Sequence, residues 1–224
     1  MSRLHVLRVF TAANGEHGNR LGVFLRGADV PADRRQGVAR DLGFAETVFV
    51  DDADRGELRI FTPEVELPYA GHPTVGAAWL LREAGEGVAS LQVPAGELPV
   101  RHEAELTWVA ARPEWAPPFE YFELGLPDAV DALGGAPEDA GWAYCWSWVD
   151  EEAGTIRARS FVSGAGIAED EATGSAALAL CGSLGRPIEV RQGRGSDIFA
   201  RPLEDGVVEV GGRVALDVVR ERSG

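Results

Sequence analysis

The chain has 224 residues, 45% of them hydrophobic, with a formal net charge of −15. All 21 basic residues are arginines, which excludes lysine Schiff-base chemistry, a lysine-bound pyridoxal cofactor and a phosphate-loop lysine. No basic patch suits nucleic acid, no apolar run approaches the roughly 18 residues of a membrane span, and Cys145 and Cys181 make no disulfide framework.

The opening "MSRLHVLRVF" has no signal-peptide layout, because charges interrupt its apolar run, and a cytoplasmic location is expected. It begins the strand-like run "LHVLRVFTA". A helix follows in "PADRRQGVARDLG", with Pro31 at its start and Gly43 at its stop. "ETVFVDD" and "ELRIFTP" read as strands. "ELPYAGHPTVGAAWLL" then turns through Gly71-His72-Pro73 into an apolar helix ending at Gly85. "SLQVP", "LPVRHEA" and "LTWVAARP" add strands, and Pro113, Pro117 and Pro118 mark a linker. The second half gives strands in "WAYCWSWVD", "TIRARSFV", "IEVRQG", "SDIFARP" and "GVVEVGGRVALDVV". Its helix lies in "ATGSAALALCGSLG", and a short one is expected in "DAVDALG".

A repeat organises these elements. Arg59-Ile60-Phe61 leads to Thr74 in 15 positions, and Arg159-Ser160-Phe161 leads to Thr173 in 14. Both copies read strand, loop, turn and small-residue helix start. Two similar lobes are therefore expected, residues 1–114 and 115–224, with the last strand able to pack back on the first lobe. If the lobes face each other, two helix N-termini converge on one cleft, a ready anion site.

Four polar residues sit at breaks beside apolar elements: Glu46, His72, Asp170 and Ser175. Each has a plain alternative. Glu46 is readable as an exposed carboxylate, His72 as a structural histidine, and Asp170 and Ser175 as helix caps. The four histidines, His5, His17, His72 and His102, lack metal-ligand spacing, so no metal is expected. "RQGRGSD" lacks the strand and helix context of a dinucleotide loop.

At these residues the chain resembles the PhzF-like isomerases of phenazine biosynthesis. "RIFTPEVELPYAGHPTVGAAWLL" and "EDEATGSAALAL" are similar to that family's two hallmark segments. "ARDLGFAETVFV" is similar to its glutamate segment, and "VFTAANGEHGNRLGVFL" to its N-terminal strand and Gly-Asn turn. The resemblance implies an α+β fold like that of diaminopimelate epimerase, with two lobes each wrapping a mixed sheet or partial barrel around a central helix. It implies cofactor-independent proton transfer on a small carboxylate-bearing substrate in the cleft between them. The catalytic positions fall on Glu46, His72, Asp170 and Ser175. Substrate binding falls on Gly71, Pro73, Thr74, Thr173 and Gly174. A homodimer is expected from the resemblance alone, and no cofactor, metal, nucleic acid or membrane partner is expected.

Three departures stand out. Glu171 replaces the family's proline, Arg20 replaces the proline of Gly-Asn-Pro, and Gly195 replaces that of Gly-Arg-Pro-Ser. The chain is also short for the family. A catalytically inactive binding or regulatory protein on the same fold is therefore the alternative. The thiol racemases of this fold need facing cysteines. Neither Tyr69-Ala70-Gly71-His72 nor Ala172-Thr173-Gly174-Ser175 has one, so that chemistry is excluded.

Overall fold

The computed structural model describes residues 2–137, 140–165 and 167–222. The first half runs β1 (Ser2–Thr11), β2 (Asn19–Phe24), α1 (Ala32–Leu42), β3 (Glu46–Asp52), β4 (Glu57–Phe61) and β5 (Glu66–Leu67). Helix α2 (Gly71–Glu83) follows, then β6 (Ser90–Val93), β7 (Gly96–Glu103) and β8 (Leu106–Ala111). The second half runs β9 (Glu120–Glu123), α3 (Pro127–Asp131), β10 (Ala143–Asp150), β11 (Thr155–Val162) and β12 (Ile167–Asp170). Helix α4 (Gly174–Leu184), β13 (Ile188–Gln192), β14 (Ser196–Pro202) and β15 (Val208–Arg222) complete it.

The strand pairings repeat as the sequence does. β2–β3 is parallel, β3–β4 antiparallel, β4–β6 parallel, and β6–β7 and β7–β8 antiparallel. β9–β10, β10–β11, β11–β13, β13–β14 and β14–β15 follow the same series of directions. Even the register agrees: Thr47 faces Phe61 as Ala143 faces Phe161.

β15 joins the halves. Its start pairs with β8 and β14, and from Arg213 onward it pairs with β1. The pairings therefore close a ring through β1, β2, β3, β4, β6, β7, β8 and β15, while the second half remains an open, partial barrel.

The helices explain their own positions. α2 is apolar on every side, so it is stable only when enclosed. Ten of its thirteen residues are buried. α4 is likewise buried from Gly174 to Leu178. α1 is amphipathic and lies outside the barrel, covering Phe24, Phe49 and Phe61 with Val38, Ala39 and Leu42. It stops at Gly43, whose left-handed φ of 65° favours glycine. Both faces of β3 are thus covered, which is why "TVFV" is buried at all four positions. β2 escapes the strand pattern because Gly22 interrupts it. A side chain there would meet the Phe44 ring at 2.9 Å.

Candidate active site

The N-termini of α2 and α4 meet head to head. A Cβ on Gly71 would stand 2.6 Å from the Gly174 carbonyl carbon and 2.6 Å from the Ser175 amide nitrogen. Neither helix has a side-chain cap: Ala70 and Thr173 hold the cap positions without a capping hydrogen bond. Asp170 and Ser175 therefore do not cap α4. Uncapped N–H groups and the positive ends of two helix dipoles face one another here. Such an arrangement is self-repulsive until an anion lies beside both ends.

Beside this junction lies an enclosed cavity of about 30 Å³, room for about one water molecule. Its lining follows the repeat. The strand registers make Glu46 equivalent to Trp142, Thr62 to Val162 and Leu67 to Asp170, and all six line it. Ala70 adds the start of α2 and Thr173 and Ser175 that of α4, while Pro117 and Phe119 from the proline-rich linker and Ile167 close the remainder.

Glu46 opens β3, just past the turn at Gly43. Its Oε2 comes to 3.3 Å from Nε2 of His72, the second residue of α2. Neither atom has an aligned hydrogen-bond partner among the described residues. Burial, and then the field of Asp170, push the Glu46 carboxyl well above the ordinary range. Burial pushes the His72 imidazole down to about 3. Burial thus favours the protonated form of Glu46 and the neutral form of His72.

Asp170 ends β12 and is fully engaged. Its Oδ1 accepts from Asn19 Nδ2 at 2.7 Å and its Oδ2 from the Thr173 hydroxyl at 2.6 Å. Burial raises its pKa to about 6 against the opposing pull of those two donors. Asn19 also donates to the Ala172 carbonyl at 3.0 Å and lies 3.5 Å from His72 Nδ1. Gln192 donates to the Asp170 carbonyl and the Thr173 hydroxyl, both at 2.9 Å, and accepts from Tyr144 at 3.1 Å. This buried chain fixes one half of the molecule to the other.

All nine residues singled out in the sequence lie on or beside this junction. Thr74 turns its hydroxyl back to the carbonyls of Ala70 and Gly71, bracing the turn, and Pro73 is buried in the same turn. Asn19, Gln192 and Tyr144 were not singled out as site residues. Only Asn19 carried a signal, its place after Gly18, whose φ is +89°. Glu171 points away from the cavity. Its carboxylate accepts from the Arg194 amide at 3.0 Å and the Ser196 hydroxyl at 2.8 Å. Gly195, at φ +139°, packs on the His17 ring, where a Cβ would stand 3.0 Å from it. No group of three or more metal-ligating side chains occurs among the described residues. Neither cysteine lines the cavity, and burial raises Cys181 to about 12.

The family model for phenazine biosynthesis-like proteins matches residues 7–140. The chain belongs to that family. Its fold is the expected α+β, diaminopimelate epimerase-like one. A family structure from Enterococcus faecalis superimposes with a TM-score of 0.80 at 22% identity, covering 100% of both chains. The trans-2,3-dihydro-3-hydroxyanthranilate isomerase of Pseudomonas aeruginosa is 30% identical, over 96% of this chain and 97% of that one. An uncharacterized isomerase of Pasteurella multocida is 39% identical over 45% of this chain, which spans 37% of that protein's length. The relatives carry the name isomerase, and the chain is a PhzF-like isomerase by descent. No helix among the described residues is long and apolar enough to cross a membrane.

Proposed function

We propose that the protein moves a proton between carbons, or between faces of one carbon, of a small carboxylate-bearing molecule bound between its halves. The observation that carries this reading is the unpartnered Glu46 carboxyl beside two uncapped helix ends. The substrate carboxylate accepts from the N–H groups of Gly71, His72, Gly174 and Ser175, and relieves the repulsion between the helix ends.

Glu46 first passes its own proton to His72 Nε2, 3.3 Å away. The bound anion favours the imidazolium this creates. The freed carboxylate then takes a proton from carbon, and the resulting enediolate is held by the same N–H groups. The Glu46 carboxyl returns the proton to a second carbon, and His72 gives back the first. Asp170, Thr173 and Ser175 orient the substrate. Every atom moved is a proton, so the cycle needs no cofactor.

The cavity of about 30 Å³ is far smaller than any such substrate, so Pro117, Phe119, Trp142 and Ile167 must part for entry. The test is exchange in D2O. The protein is incubated with trans-2,3-dihydro-3-hydroxyanthranilate, the substrate in the P. aeruginosa relative's name, and with a panel of cyclic carboxylates. Carbon-bound deuterium followed by NMR, present with the natural chain and absent in Glu46→Gln, supports the reading. Exchange that survives Glu46→Gln, or none with any acid, overturns it.

A further inference from the structure

Outside the cavity, sharing Ile167 and Asp170 as a common wall, lies an open cleft of about 600 Å³ between the halves. Its charges are sorted in a particular way. Every acid on its walls is already engaged. Asp170 is held by Asn19 and Thr173, Glu169 is bridged twice to Arg159, and Glu171 accepts from Arg194 N–H and Ser196. Arg8 is engaged too, on Asp217 and on the carbonyls of Gly15 and His17.

Two cations are not. The Arg20 guanidinium lies over the Phe44 ring at 5.3 Å and, among the described residues, meets no carboxylate. The Arg194 side chain makes no hydrogen bond or ion pair among them either. Both line the cleft, and both are exposed. In a chain of net charge −15, a cleft whose three arginines match its three acids in number repels an entering anion less than the surface at large does. Among the described residues, the guanidiniums of Arg20 and Arg194 make no hydrogen bond that would hold them from it.

The neighbouring residues hold Arg194 in place. The Glu171 carboxylate grips the turn from Gly193 to Ser196 from below. Gly193, at φ +58°, leaves the room that the carboxylate needs, since a Cβ there would stand 2.6 Å from Glu171 Oε2. Gly195 packs on His17. The three departures noted in the sequence, Arg20, Glu171 and Gly195, thus meet at this one mouth and not among the proton-transfer groups.

We infer that Arg20 and Arg194 form a second anion site, which selects substrates carrying another carboxylate or phosphate at the end remote from the reacting carbon. The inference rests on the proposed reading of the inner site, where the first carboxylate binds. Guanidiniums suit either anion, because their paired N–H groups match two oxygens at once. Phe44 keeps the Arg20 plane in place.

Calorimetric titration of the full chain with benzoate, isophthalate and terephthalate tests it, at low and high salt. The partners are the natural chain, Arg20→Gln, Arg194→Gln and the double variant. At least one diacid should bind about tenfold more tightly than benzoate, a modest gain for a solvent-open site. That advantage should shrink with salt, fall in each single variant and vanish in the double variant, with benzoate affinity unchanged throughout. Both side chains are exposed, so folding is retained, as a thermal melt of each variant will report. Benzoate binding with no preference for either diacid, or a preference that survives in the double variant, overturns the inference and leaves the inner site standing. Failure of all three acids to bind the natural chain overturns both.

Discussion

Gly71 and Gly174 touch backbone to backbone, so that a single methyl group on Gly71 would stand 2.6 Å from the carbonyl carbon of Gly174. Neither side can yield, because each residue begins a buried helix. Gly71→Ala should destabilise the protein by about 1–3 kcal/mol through overpacking, and part the helix ends enough to abolish carboxylate binding. Gly37→Ala is the matched control. It sits in α1 with nothing within 4 Å of its Cβ, and should stabilise by about 0.5–1 kcal/mol. Urea unfolding of the two variants should move in opposite directions.

Glu46→Gln keeps the shape of the side chain and removes its proton chemistry. Turnover should fall at least about a hundredfold, the usual scale for lost general acid–base help. Because burial favours the neutral form of Glu46, the same variant should be as stable as the natural chain or slightly more so. Paired kinetics and unfolding curves separate the two effects.

The buried groups make opposing pH dependences. His72 falls from 6.5 to about 3, so between those values the unfolded chain binds the proton and stability rises with pH. Asp170 rises from 3.8 to about 6, so in that window the folded chain binds more protons and stability falls with pH. Glu46, raised well above 4.5, acts in the same direction as Asp170. One rising contribution thus meets two falling ones, and the natural chain should lose stability as pH climbs from about 4.5 to 6. His72→Gln should steepen that decline, while Asp170→Asn, which leaves His72 opposed by Glu46 alone, should flatten it. Melting temperatures at pH 4, 5, 6, 7 and 8 would check all three curves.

Glu171 holds a turn and lends Asp170 part of its upward shift. Glu171→Ala should cost about 1–2 kcal/mol for the lost bonds to the Arg194 amide and Ser196 hydroxyl. It should also move the acidic limb of the pH–rate profile downward, with little change in the rate at neutral pH. A collapse of activity would instead place Glu171 among the groups that touch the substrate.

Local chemistry made the helices legible. Gly43 and Gly185 mark helix ends with left-handed backbones, and an apolar α2 has to be enclosed. The repeat was legible because Arg59-Ile60-Phe61 and Arg159-Ser160-Phe161 recur at the same register in β4 and β11. What brought the halves together was not. That depends on Gly71 meeting Gly174, a contact between residues far apart in the chain, and no local pattern encodes it. Gln192 and Tyr144 were illegible for a related reason. A lone buried amide in "IEVRQG" and a tyrosine in a Trp-rich strand look like ordinary strand residues until the fold joins them to Thr173 and Asp170. The departures at Arg20, Glu171 and Gly195 read as separate oddities, and only their common place at the cleft gives them one meaning.

β1 has β15 for a neighbour, and the pair Arg8–Asp217 is separated by 209 residues. During synthesis β1 therefore waits for a partner that lies 209 residues further along the chain. Until β15 emerges, one flank of β1 offers unpaired N–H and C=O groups, a template for stray pairing. The loop that must close spans those 209 residues, which makes this pairing slow by nature. The ring that encloses α2 can therefore close only after β15, from the far end of the second half, has been made.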